Sequence, residues 1–343
     1  MKSSWHNAPP RSASGASPPG GRSQRPGEAG SAAAPKENAE HVLRRLEWTV
    51  IRRLDGMLQG DYHTLMRGAG LDLADLREYQ HHDDVRHMDW NVTARLQVPH
   101  VRVFTEDREM AAWFLLDLSP SIDFGSGEQR KLGVSAEFVA VLARLLTRHG
   151  NRVGALLYGS GVDAMIPARA GRRHVLHLLH SIQTRPAPAE TGTTRLHELL
   201  ESAAGAIRRR ATVFVVSDFI SEPGWEKPLA QLAQRHEVVA VRVLDPLELE
   251  LPDLGLVMVR DAETGEQMFV DTHERGFRRR FAELAALREE ELRAGFADAG
   301  VDVLELATDD DLAEAVTRFA VLRKRRSQLA GGGLPAHLAA AGR

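Results

Sequence analysis

Residues 110–121 read MAAWFLLDLSPS: an apolar run reaches Leu116, then Asp117, Ser119 and Ser121 follow at two-residue spacing. Apolar side chains at consecutive rather than alternate positions mark a strand buried on both faces, as in a mostly parallel sheet covered by helices on either side. In such sheets ligands gather outside the carboxyl ends of the strands, where the chain order reverses. A carboxylate and two hydroxyls placed there can face a single point. A second strand, ATVFVVSDF at 211–219, ends the same way at Asp218, and the loop ETGTTRLHELL at 190–200 offers Thr191, Thr193 and Thr194 just before a helix. Two carboxylates and several hydroxyls, with no soft donor, form a hard-cation set suited to Mg²⁺, with Mn²⁺ or Ca²⁺ as alternatives. Taken alone, Asp-Leu-Ser would read as a cap or turn. The second strand-end acid and the threonine loop favour the ion.

The rest of the chain alternates strands with helices. HVLRRLEWTVIRRLDGMLQG (41–60) places Val42, Leu46, Trp48, Val50, Ile51 and Leu54 near helical spacing with arginines opposite, which predicts one amphipathic helix. Residues 61–97 are dense in charged and ring side chains and show no long period. Strands are predicted at 101–106 and 110–118, a helix at 128–150 closed by Gly150, and a hairpin of 152–158 with 162–167 around Gly-Ser-Gly. Helices at 171–182, 196–209, 227–235 and 275–299, strands at 211–219, 236–244 and 301–306, and a helix from Asp309 onward complete the series. The predicted class is α/β: a doubly wound, mostly parallel sheet with helices on both faces.

A chain of 343 residues with 43% apolar content can build a packed core. Its net charge of −3 gives no global basic field, so nucleic acid is not an expected partner. The absence of cysteine excludes disulfides, thiolate metal sites and cysteine nucleophiles, and suits a reducing compartment. The opening MKSSWHNAPPRSASG lacks the apolar segment of a secretory signal, and no apolar run nears the roughly 18 residues of a membrane span. The expectation is a cytoplasmic protein without a membrane span. Residues 1–40, dominated by Pro, Gly, Ser and Ala, predict a disordered tail, and 328–343 a flexible one.

The order strand-DLSPS, then TGTTRL, then VVSDF resembles the metal-ion-dependent adhesion site, or MIDAS, of von Willebrand factor A-like domains. That resemblance implies a metal site of Asp117, Ser119, Ser121, Thr194 and Asp218, in which the serines and threonine touch the ion and the aspartates act directly or through water. Thr194 follows from matching GTTRLHELL to the family's Gly-Gly-Thr-x-Leu, with Thr193 where a glycine is usual. Further stretches are similar to the bacterial domain-of-unknown-function 58 family: GDYHTLMRGAGLDLADLREYQHHDDVRHMDWNVTAR (60–95), VFTEDREM (103–110), DLSPSIDFG (117–125) and LPDLGLVMVRDAETGEQMFVDT (251–272). The likeness runs from about residue 42 to 327, and His81-His82 stands where Pro-Gly is common in the family. It implies a family-specific N-terminal region at 41–108, a von Willebrand factor A-like core at 109–250 and a C-terminal continuation at 251–327. It also implies a partner, a MoxR-type AAA+ ATPase encoded nearby, in chaperone-like assembly or maturation of protein complexes.

Other constellations read more plainly. HHDDVRHMDW (81–90) gathers His81, His82 and His87 among acids but lacks a ligand spacing for zinc or iron. It reads instead as a structural or docking network in which Arg77, Arg86 and Arg95 pair with Asp83, Asp84 and Asp89, with Tyr79 nearby, partly buried under Trp90. HVLHLLH (174–180) reads as an amphipathic helix, and the basic runs at 207–211 and 321–328 as solvated helix ends. No phosphate-binding loop, His-Glu-x-x-His or Gly-x-Ser-x-Gly motif is present, so ATP hydrolysis falls to the partner. The leading expectation is a non-catalytic, Mg²⁺-dependent interaction module, whose client offers an acidic side chain to complete the ion's coordination. The alternative is a phosphoester hydrolase in which Asp117 and Asp218 hold an ion that activates water. Against it, no histidine or lysine with an evident acid/base role lies in the motif loops, although folding could bring one in from afar.

Overall fold

The computed structural model describes residues 38–58, 75–79, 88–103, 111–185, 193–260 and 267–330. They begin with α1 (Ala39–Leu46), a five-residue π turn (Glu47–Ile51) and α2 (Arg52–Leu58). Then come β1 (Asp75–Glu78), α3 (Trp90–Leu96) and β2 (His100–Val103). The alternation proper runs β3 (Ala111–Asp117), α4 (Lys131–Arg148), β4 (Arg152–Tyr158), β5 (Val162–Arg169), α5 (Arg172–Thr184), α6 (Leu196–Ala206), β6 (Thr212–Ser217), α7 (Glu226–Arg235) and β7 (Glu237–Leu244). It continues through β8 (Leu256–Arg260), β9 (Gln267–Asp271), α8 (Arg275–Ala299), β10 (Asp302–Ala307) and α9 (Leu312–Ala330).

Six strands form the central sheet in the order β10-β7-β6-β3-β4-β5, parallel except for β5, which runs antiparallel to β4. From β3 the chain moves outward to β4 and β5, then returns to the other side of β3 with β6. The reversal falls between β3 and β6, so their carboxyl ends flank the crevice where ligands bind in sheets of this kind.

The consecutive apolar residues of β3 divide between two cores because side chains alternate across a strand. Ala112, Phe114 and Leu116 join the cluster made with α1, α4, α5 and α9. Trp113 and Leu115 join the cluster made with α6, α7 and α8. Phe114 stacks on Phe214 of β6 at 5.4 Å between ring centroids, and both meet Phe138 of α4 edge-on. Opposite, Gly154 of β4 faces Trp113, where an added Cβ would lie 2.9 Å from the indole. Only a residue without a side chain lets β4 approach that ring.

Several expectations change. The helix predicted over 41–60 is broken by the π turn, whose wider turn resets the phase of the apolar face. Val42, Leu46, Ile51 and Leu54 are buried, whereas Trp48 is 65% exposed with the Arg52 guanidinium 3.7 Å over its ring. Arg323, read as part of a solvated helix end, is buried between Asp302, at 2.9 Å, and Glu237, and so ties α9 to the edge of the sheet. The stretch 251–272, given no elements above, contains the β8–β9 hairpin, with Leu256, Met258, Met268 and Phe269 exposed. No helix among the described residues is long and apolar enough to cross a membrane.

The proposed charge network is only partly within view. Asp83, Asp84 and Arg86, with His81, His82 and His87, lie outside the described residues. Arg77 stands in β1 opposite Val101, and the Tyr79 amide donates to the Pro99 carbonyl at 2.8 Å. Asp89 caps α3, accepting from the amides of Asn91 and Val92 at 3.0 and 3.1 Å. Trp90 is 68% exposed, and Arg95 is exposed too. The buried Asp89 carboxylate thus serves as the N-cap of α3.

Phe114 carries the contact between the central strands and α4. Phe114→Ala should lower the free energy of unfolding by about 3–5 kcal/mol, read from the shift of the urea midpoint at unchanged slope.

Candidate metal centre

Asp117 is the last residue of β3 and has no exposed surface. Its Oδ1 accepts from the Ser119 amide at 3.0 Å and its Oδ2 from the Ser217 hydroxyl at 2.6 Å. Pro120 then opens a single 3₁₀ turn, Pro120–Asp123, and this turn brings the buried Ser119 and Ser121 hydroxyls to 3.1 Å from each other. The spacing Asp-x-Ser-x-Ser thus places three oxygen-bearing side chains at one strand end.

Asp218 follows β6, buried at 2% exposure. Phe219, next in the chain, has φ of 58°, a conformation rare for an aromatic residue. Its ring is gripped by Trp225 at 5.2 Å and Phe296 at 4.8 Å, contacts that hold the backbone bend in place. The bend lets the Ile220 amide return to Asp218 Oδ1 at 3.0 Å. Thr194 is buried, and its carbonyl accepts from the Glu222 amide at 2.9 Å and the Ser221 hydroxyl at 3.0 Å, which stitches the loop before α6 to the loop after β6. Thr193 is exposed and donates to Glu222 at 2.6 Å, while Thr191 lies outside the described residues. The sheet thus brings Asp117, Ser119, Ser121, Thr194 and Asp218 to the crevice between β3 and β6, all buried.

The sequence reading missed Lys131. It is the first residue of α4, fully buried, with Nζ 2.7 Å from Asp218 Oδ2 and 2.5 Å from Glu248 Oε1. A cation at a helix N-terminus opposes the helix dipole, at a cost of roughly 0.3–1 kcal/mol. That mismatch, in a chain with only five lysines, was the one signal available. Burial alone would lower the ammonium's pKa, but attraction to Asp218 and then Glu248, with hydrogen bonds to both, raises it. The Asp117 carboxyl is pushed up to about 6, first by burial and then by the Asp218 charge, against hydrogen bonds from Ser217 and Ser119. Asp117 has no ion-pair partner among the described residues.

Glu248 is placed by its own network. Asp245, at the end of β7, accepts from the Ser126 amide and hydroxyl at 2.8 and 2.7 Å, the Leu247 amide at 3.0 Å and the Thr308 hydroxyl at 2.8 Å. Asp245 and Glu248 form a capping box around the Pro246–Glu248 turn, and this box holds the Glu248 carboxylate toward Lys131.

As a donor set, Asp117, Ser119, Ser121 and Thr194 fit a hard cation. Every donor is oxygen, every residue is buried, and the Asp117 charge is uncompensated by a direct ion pair. Asp218 meets Lys131 and the Ile220 amide through its two oxygens, as Asp117 meets Ser217 and the Ser119 amide, so an ion would share the Asp218 carboxylate with Lys131. No three His, Asp or Glu side chains converge on a common point among the described residues, so hydroxyls would have to complete the set.

A six-stranded, mostly parallel α/β sheet with acidic strand ends at its reversal point is the class this chain defines. The chain belongs to the family described as protein of unknown function DUF58, which matches residues 75–291. It is 40% identical over 294 residues to the uncharacterized protein Rv1480 of Mycobacterium tuberculosis, covering 84% of this chain and 91% of that one. It is 36% identical over 168 residues to the uncharacterized protein MAV169 of Mycobacterium avium, covering 48% of this chain and 97% of that one. Among solved structures, the conserved hypothetical protein BatB of Bacteroides thetaiotaomicron is similar at 15% identity and a TM-score of 0.40, covering 63% of this chain and 99% of BatB.

Burial works to raise the Asp245 carboxyl, but its four hydrogen bonds outweigh that and hold it below the ordinary range. A lowered folded-state pKa gives stability that is complete above the unfolded value of about 3.9 and lost as pH falls through the folded value. Asp245→Asn, which turns an amide toward these donors, should cost about 1–3 kcal/mol at pH 7. The gap from wild type should close as pH drops below about 4, checked by denaturation across that range.

Proposed function

We propose that this protein is a non-catalytic, Mg²⁺-dependent protein-interaction module with a von Willebrand factor A-like fold. The observation that carries the proposal is the burial of Asp117, Ser119, Ser121, Thr194 and Asp218 at the carboxyl ends of the strands flanking the reversal, with Asp117 and the two serines linked by hydrogen bonds. Asp117, Ser119, Ser121 and Thr194, with Asp218 acting directly or through water, would hold the ion. When bound, it supplies a concentrated positive charge that a carboxylate from another protein can complete. The chain's own part is positional: β3 delivers Asp117, the 3₁₀ turn aligns the two serines, Ser217 orients the Asp117 carboxylate, and the Thr194 carbonyl locks its loop to Ser221 and Glu222.

The partner we propose is a MoxR-type AAA+ ATPase, with a client protein that offers an acidic residue to the ion, in chaperone-like assembly or maturation of complexes. The family resemblance supports this pairing. A module that lacks a phosphate-binding loop of its own fits the binding half of such a pair.

The test is co-purification with the neighbouring ATPase. Capture should occur in Mg²⁺ and fall at least about tenfold in chelator or in Asp117→Ala, with far-ultraviolet circular dichroism showing the variant folded. Equal capture by folded Asp117→Ala overturns the mechanism. Sustained phosphoester turnover lost in Asp218→Ala would support the hydrolase instead.

A further inference from the structure

Lys131 is an unusual guest at this site. It has no exposed surface, its ammonium is shared between Asp218 and Glu248, and it sits at the N-terminal end of an 18-residue helix, where an anion would be preferred. A buried lysine needs a strong electrostatic reason. Here that reason is the Asp218 carboxylate, buried beside a second carboxylate, Asp117, whose charge no ion pair answers among the described residues.

We propose that Lys131 is a resident counter-ion of the strand-end site: its ammonium neutralises Asp218, lets the site fold without a divalent ion, and sets the ion's affinity by competing for that carboxylate. This inference rests on the metal reading of the site and deepens it. The ligand remains a divalent hard cation, and the new element is the tethered cation that tempers it. The ammonium meets two acids, Asp218 and Glu248; Asp117 stands beside Asp218 without a direct ion pair among the described residues, with the Arg185 guanidinium as the other cation near it, so negative charge remains at the site for the ion to meet. Removing the ammonium leaves Asp218 able to attract the ion at full charge. Neutralising Glu248 concentrates the ammonium on Asp218 and makes the ion a weaker competitor. Glu248 also links the device to the Asp245 capping box and so to the end of β7.

The experiment is calorimetric titration of the full chain with Mg²⁺ alone, paired with melting curves in chelator and in Mg²⁺. Lys131→Met should bind Mg²⁺ about tenfold or more tightly than wild type. It should melt lower than wild type in chelator and regain that loss when Mg²⁺ is added. Glu248→Gln, a milder change at a part-exposed side chain, should bind several-fold more weakly. If Lys131→Met proves unfolded in chelator, refolding by Mg²⁺ supports the proposal, and failure of Lys131→Met/Asp218→Asn to restore an ion-independent fold overturns it. Equal Mg²⁺ affinity in wild type, Lys131→Met and Glu248→Gln overturns the inference while leaving the metal reading intact. Absence of Mg²⁺ binding in every folded form overturns both.

Discussion

The structure turns on two carboxylates buried side by side at the ends of adjacent strands. Asp117 and Asp218 close β3 and β6, and the apolar packing that makes these strands central also removes their acids from water. Isolated buried charge is costly unless it is paired or hydrogen-bonded. Much around the crevice answers that cost. Ser217 and the Ser119 amide hold Asp117, while the Ile220 amide and Lys131 hold Asp218. The two acids are treated unequally, and that inequality gives the site its character: one is paired directly with an internal cation, and the other has no direct ion pair among the described residues and a carboxyl pushed up to about 6.

This arrangement ties together parts of the chain far apart in sequence. Lys131 begins α4, Asp218 ends β6, and Glu248 belongs to the turn after β7. That turn is fixed in its turn by Asp245 bonds to Ser126 and Thr308. The aromatic clamp on Phe219 by Trp225 and Phe296 adds α8 to the same assembly, because a bend with positive φ persists only where packing over-determines it. The crevice is thus held in shape by both hydrophobic cores at once.

Much of this was legible early. The double-sided apolar runs of β3 and β6 could only be central strands, and acids at their ends could only sit at an edge of the sheet. The helices of the second half follow from a regular apolar period, and α8 spans the predicted 275–299. The first hundred residues were less readable for physical reasons. The π turn at Glu47–Ile51 shifts the helical phase by a fraction of a turn that no fixed period anticipates, and Trp48 faces outward under Arg52 as a result. Asp89 also caps a short helix, a role its place in an acidic run does not reveal. The β8–β9 hairpin escaped notice because Leu256, Met258, Met268 and Phe269 are apolar but exposed, so no buried face imposed a readable alternation.

The sequence by itself determined the α/β class, the two strand-end aspartates, the paired serines and the threonine loop, because each depends on local pattern: short unbroken apolar runs for the central strands, one turn for Asp-x-Ser-x-Ser, a loop beside a helix start. Only the tertiary structure decided that Thr194 is buried while Thr193 is exposed, that Arg323 is an internal ion-pair partner, and that Lys131 reaches Asp218 across 87 positions of chain. Such pairings depend on which strand ends become neighbours and which helix lands above them, and a linear pattern of residues contains no distance between them.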